Sequence, residues 1–107
     1  MLIATTESVA GHDTIQTLGE VFGVIVRSRG AVGNFTASIR SIFGGEIPEY
    51  TRLIEQARQQ ALERLGAAAA ALGANAVVMM RFDSGEIAAN MSEIVAYGTA
   101  VVIRPRL

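Results

Sequence analysis

Carboxylates are the side chains best suited to bind a metal ion in this sequence, because the chain offers few other ligand types. It contains one histidine, His12, and no cysteine. Soft or borderline metals want several nitrogen or sulfur donors, and one imidazole per chain does not supply them. A hard cation needs clustered oxygen atoms instead. Glu46, Asp83 and Glu93 are therefore the candidate metal ligands, and a divalent metal ion is the cofactor that they would hold.

Two of these carboxylates flank a segment that we expect to be a loop, residues 84–92. If that loop folds back, Asp83, Glu86 and Glu93 converge, and Glu46 could join them across an interface between chains. No EF-hand spacing is present, and carboxylates scattered in loops are usually solvated. Both interpretations stay open.

Glu46 belongs to the stretch SIFGGEIPEYT, residues 41–51, where two glycines precede a helical pattern. A helix N-terminus can bind an anion through its free N–H groups. Here Glu46 and Glu49 would repel an anion, and both carboxylates already complement the helix dipole. The stretch therefore predicts a hinge and a helix start, with Gly44 and Gly45 allowing the change of direction.

Motifs for catalysis are weak. No GxSxG elbow, no phosphate-binding GxxxxGK[ST] pattern and no cysteine nucleophile occur, and only one histidine could serve as a base. General acid–base work by a pair of carboxylates stays open, because proximity in space is not visible in a sequence. The sequence favours a non-enzymatic protein, with an enzyme acting in a cleft between subunits as the third-ranked hypothesis.

One long helix must position most of these groups. Proline is favourable at the first helical position, so the helix is predicted over Pro48 to Leu72 and ends before Gly73. Its apolar residues recur at helical spacing and form one stripe. On the opposite face, small residues without charge follow Arg64, which predicts a buried or interfacial segment. The alternative is that alanine is simply a strong helix former.

Strands are predicted over residues 21–29, 75–83 and 93–104, which are rich in β-branched residues, with Gly98 marking a bulge or a close backbone approach. Residues 2–5 predict a further short strand, and residues 7–19 are rich in turn formers. A short helix is predicted from Asn34. Arg27 and Arg29 share a strand face, where they could grip an anion, pair with carboxylates of another chain or protect an edge strand. The adjacent methionines Met79 and Met80 point to opposite faces and cannot chelate one ion.

This order of elements predicts an α+β fold. It is a two-layer sandwich in which a small, mainly antiparallel sheet packs on one long helix plus a short helix. The 107 residues allow a single domain over residues 1–107.

The composition indicates which kinds of partner the protein binds. Half of the residues are apolar and 18% are charged. A single chain of this length buries only roughly 65% of its extended surface, so it would leave many apolar residues exposed to water. We therefore expect self-association. The net charge is −1 and no basic run exists, which argues against a nucleic-acid partner. No signal peptide or membrane span is predicted, so we expect a cytoplasmic protein.

Several short blocks form a distinctive set: GGE at 44–46 with Tyr50, LGANAV at 72–77 and EIVAYGTAVV at 93–102. These blocks resemble the YbjQ-like family of putative heavy-metal-binding domains, and the likeness extends over nearly the whole chain. The resemblance implies a dodecin-like β-α-β-β core and a ring-forming homopentamer, in which short extra strands such as the one at residues 2–5 pair across chains. It adds no catalytic residues.

Two hypotheses for function follow. The first is a non-enzymatic, pentameric binding module that holds a metal ion or small ligand at subunit interfaces, where symmetry repeats Glu46, Asp83 and Glu93. The alternative is a structural scaffold whose loops recruit another protein.

Overall fold

Four strands and one helix make up the part of the chain that the computed structural model describes, namely residues 1–28, 45 and 47–107. In chain order they are β1 (Leu2–Ile3), β2 (His12–Ser28), α1 (Pro48–Ala71), β3 (Ala76–Ala88) and β4 (Met91–Pro105). The predicted long helix is confirmed to within one residue at its end. The predicted short helix from Asn34 and the position of Arg29 lie outside the described residues.

The strands form one open sheet in the order β1-β3-β4-β2. Strand β1 pairs parallel with β3, and the two longer pairs, β3 with β4 and β2 with β4, are antiparallel. Helix α1 lies across one side of this sheet. The α+β sandwich with a mainly antiparallel sheet is thereby confirmed.

The main core lies between the helix and the sheet. We call the covered side of the sheet the helix face and the other side the outer face. Helix α1 contributes four of its buried residues, Ala57, Ala61, Leu65 and Ala69, and the helix face contributes Val21, Ile25, Val77, Met80, Ala96 and Ala100. Small alanines on α1 allow the helix to approach the strands closely, so the apolar stripe is buried at its centre. Leu53, Ile54 and Leu72, towards the ends of the stripe, are about half exposed.

Strand β2 begins at His12, so the prediction of a turn-rich stretch over residues 7–19 is wrong from that residue onward. The side chains from Asp13 to Thr17 are all exposed, and the register shifts between Thr14 and Gln16 and again between Thr17 and Gly19. No alternation of apolar residues is therefore visible there. Hydrogen bonds to β4, at the far end of the sequence, make this stretch a strand.

The predicted loop over residues 84–92 is also wrong. Strands β3 and β4 continue through it and form a hairpin that turns at Ala89 and Asn90. Because residues 83–90 are all exposed, their sequence lacks the buried alternation that identifies a strand. The first strand differs as well: β1 pairs with Ala76 and Val77 of its own chain, whereas the resemblance implied pairing across chains.

The bulge expected near Gly98 is present. Val78 pairs with Thr99 and Arg81 with Tyr97, so Met79 and Met80 together face Gly98 alone. A Cβ atom on Gly98 would lie 2.7 Å from Cγ1 of Val77 and 2.9 Å from the carbonyl oxygen of Val78. Met80 is buried and Met79, at φ 55°, is 44% exposed, which agrees with the prediction that the two side chains diverge.

Candidate functional site

Two of the predicted metal ligands lie on the outer face of the sheet. Asp83 pairs in register with Val95, and Glu93 pairs with Gly85, so the two carboxylates occupy diagonal positions on neighbouring strands. Diagonal positions of this kind are about 7–8 Å apart, within reach of long side chains. One oxygen of Asp83 accepts a hydrogen bond of 2.9 Å from the N–H of Ser84. The structure therefore places Asp83 and Glu93 near each other.

Glu86 does not join them. It pairs with Ser92, and alternation along the strand directs both residues to the helix face, opposite to Asp83 and Glu93. Among residues 1–28, 45 and 47–107, no group of three or more histidine, cysteine or acidic side chains is close enough to hold a metal ion. Of the candidate ligands, the described residues of one chain thus bring Asp83 and Glu93 to the outer face.

Glu46 lies outside the described residues, but its neighbours show how the helix begins. Gly45 has a φ of 87°, a conformation that favours glycine, and Ile47 is the N-cap residue in an extended conformation. Pro48 follows in the first turn, and Glu49 places a carboxylate there. Gly45 therefore supports the predicted hinge, and the helix start has the acidic first turn that the sequence indicated.

His12 lies at the start of β2. Its Nδ1 is 2.9 Å from the carbonyl oxygen of Ala10, and its backbone N–H donates to Val9. The adjacent Asp13 accepts a hydrogen bond of 2.9 Å from Nη2 of Arg106, in an ion pair whose side chains are about half exposed. The ion pair joins the start of β2 to the segment after β4, far along the sheet from Asp83 and Glu93.

Two arginines bridge β2 and the helix. Arg27 donates a hydrogen bond of 2.6 Å to Oε1 of Gln60, and Arg64 donates one of 2.8 Å to the carbonyl oxygen of Val24. Among the described residues β2 is the last strand on its side of the sheet, so Val24 lies on the edge strand of that part. The two arginine side chains cover part of that edge, which is one of the roles predicted for Arg27. The hydrogen-bond partner of Arg27 is a glutamine of the same chain and not a carboxylate of another chain.

A shallow groove runs between the first turns of α1 and the end of the sheet. Its walls are mostly apolar, with polar groups from β2 and β4 at one side; the lining residues are Arg27, Ser28, Tyr50, Leu53, Ile54, Ala57, Ser92 and Ile94. A second recess next to it is lined by Arg58, Ser84 and Glu86 among others. Arg58 stacks over the ring of Phe82, 5.1 Å from its centroid, so its cation is already engaged.

Asn75 has a structural role that no local sequence pattern indicates. Its side-chain amide donates to the carbonyl oxygen of Ile103 and accepts from the N–H of Ile103, both at 2.8 Å. The paired bonds attach the start of β3 to the end of β4. An asparagine between a helix end and a strand suggested only a turn, because its partner is 28 residues away in the chain.

Residues 1–104 match a protein family, YbjQ, whose description is "Putative heavy-metal-binding". The chain belongs to this family. A UPF0145 protein of Bradyrhizobium sp. (strain ORS 278) is 63% identical over 105 residues, which cover 98% of this chain and 95% of that protein. A UPF0145 protein of Sulfurisphaera tokodaii is 56% identical over 103 residues, covering 96% and 90%. The predicted YbjQ relationship is thus confirmed.

One solved structure supports the fold. A protein of unknown function from Pediococcus pentosaceus, assigned to the DUF74 family, superimposes with a TM-score of 0.70 over 97% of this chain and 98% of its own. The identity is 14%, so the likeness concerns the fold alone. No helix among the described residues of the YbjQ chain is long and apolar enough to cross a membrane.

Proposed function

We propose that this YbjQ-family chain is a cytoplasmic, non-enzymatic homo-oligomer, a pentameric ring, that binds a divalent metal ion where copies meet. The observation that carries the proposal is the position of Asp83 and Glu93, diagonal neighbours on the outer face of the sheet. A calcium-like cation takes about six to eight oxygen ligands, more than this pair provides. Symmetry supplies the remainder, because each copy brings the same two carboxylates to the shared site.

The dimensions of the chain support association. Its radius of gyration is 17.3 Å, whereas a compact domain of this length has one of about 13 Å. The extents are 57 × 25 × 15 Å, because the long strands project beyond the ends of α1. Within the described ranges much of the sheet is uncovered, and neighbouring copies offer a way to cover it.

The charges favour a cation over an anion at this position. If copies bury the surroundings of Asp83 and Glu93, their negative charges lose contact with water at a large energetic cost. A divalent ion between them offsets that cost. Glu46, which the sequence places beside the hinge, is a third ligand in the proposal.

Metal analysis with calorimetric titration tests the proposal. Purified protein is titrated with Ca²⁺, Mn²⁺ and Zn²⁺, and its retained metal is measured. The double variant Asp83→Asn/Glu93→Gln should bind the ion with at least tenfold lower affinity. Adding Glu46→Gln should lower the affinity further. Glu63→Gln, on the solvated side of α1, is the matched control and should bind as the unchanged chain does. Absence of heat with every ion, or equal heat from the double variant, would contradict a metal site here.

A second candidate function, a scaffold that recruits another protein, is favoured by the hairpin between β3 and β4. Ile87 is 55% exposed there, and Met91 is 39% exposed. Exposed apolar side chains on a projecting turn suit contact with a partner. The test is a pull-down that first identifies a partner with the unchanged chain. If the chain is a scaffold, the double variant Glu46→Gln/Glu93→Gln should still capture that partner, whereas Ile87→Asp should not.

A further inference from the structure

We draw no further inference here: the strongest candidate, the shallow groove between the first turns of α1 and the end of the sheet, is lined by Ser28, the last residue of its described range, and nothing among residues 1–28, 45 and 47–107 shows what covers its apolar walls.

Discussion

Gly23 of β2 lies directly under Ala61 of α1, so close that a Cβ atom on the glycine would overlap the carbonyl oxygen of the alanine. The same atom would lie 2.6 Å from the backbone nitrogen of Leu65. Both obstacles are helix backbone, which cannot rotate away as a side chain can. The contact fixes the separation between helix and sheet and lets Arg64 reach the edge of β2.

Gly23→Ala should therefore destabilise the fold by about 2–4 kcal/mol, since the helix must move away from its whole core to admit one methyl group. Urea unfolding followed by circular dichroism measures the change. Gly85→Ala is the control, because no heavy atom lies within 4 Å of its added Cβ. It should change the free energy of unfolding by less than about 1 kcal/mol. A stable Gly23→Ala variant would show that the helix has room to shift.

Asn75→Ala should cost about 1–3 kcal/mol, because it leaves the N–H and the carbonyl of Ile103 without their side-chain partner in a half-buried position. Asn75→Asp retains the acceptor and loses the donor, and its charge would face the carbonyl oxygen. It should be no more stable than the alanine variant. Gln56→Ala, at an exposed helix position, should stay within about 0.5 kcal/mol of the unchanged chain.

Arg64→Ala should expose the carbonyl of Val24 on the edge of β2. Exposed strand edges pair with other strands, so the variant should form species larger than those of the unchanged chain over hours at high concentration. Gel filtration with light scattering detects them. Arg52→Ala removes an arginine from the solvated side of the same helix and should not have this effect. If both variants keep the native mass, Arg64 does not protect the edge.

Asp13→Asn should change stability by less than about 1 kcal/mol, because the ion pair with Arg106 lies in water with both side chains about half exposed. Thermal unfolding in low salt and in 0.5 M salt measures it. Salt should reduce the small difference further, since it screens exposed charges. A loss that is large and independent of salt would mean that Asp13 stabilises the fold by a route other than charge.

The helix and the strand centres could be predicted because each carries its own signal. Pro48 marks the helix start, and Gly73 adopts a positive φ after its end. The strands carry runs of β-branched residues, of which Val21, Ile25 and Val77 are buried against α1. Strand ends could not be predicted in this way. Residues 13–17 and 83–88 are exposed on the ends of long strands, so their conformation depends on hydrogen bonds to distant partners.

The candidate site, too, could be predicted from the sequence only in part. Glu93 was predicted at a strand start and lies two residues inside β4, which begins at Met91. The hairpin sends Asp83 and Glu86 to opposite faces, which only the register reveals. The residues with the firmest structural roles, Gly23 and Asn75, act through contacts across the sheet and the helix. Their partners are far away in the chain, so no local pattern identifies them.

The pairing of β2 with β4 has a consequence for synthesis of the chain. His12 pairs with Pro105 and Ser28 with Met91, so among the described residues the first long strand pairs with the last one. While the ribosome is still making the protein, α1 can coil, but β2 cannot pair until β4 has emerged. We therefore expect the sheet to form late in synthesis, at a rate set by closure of this long loop.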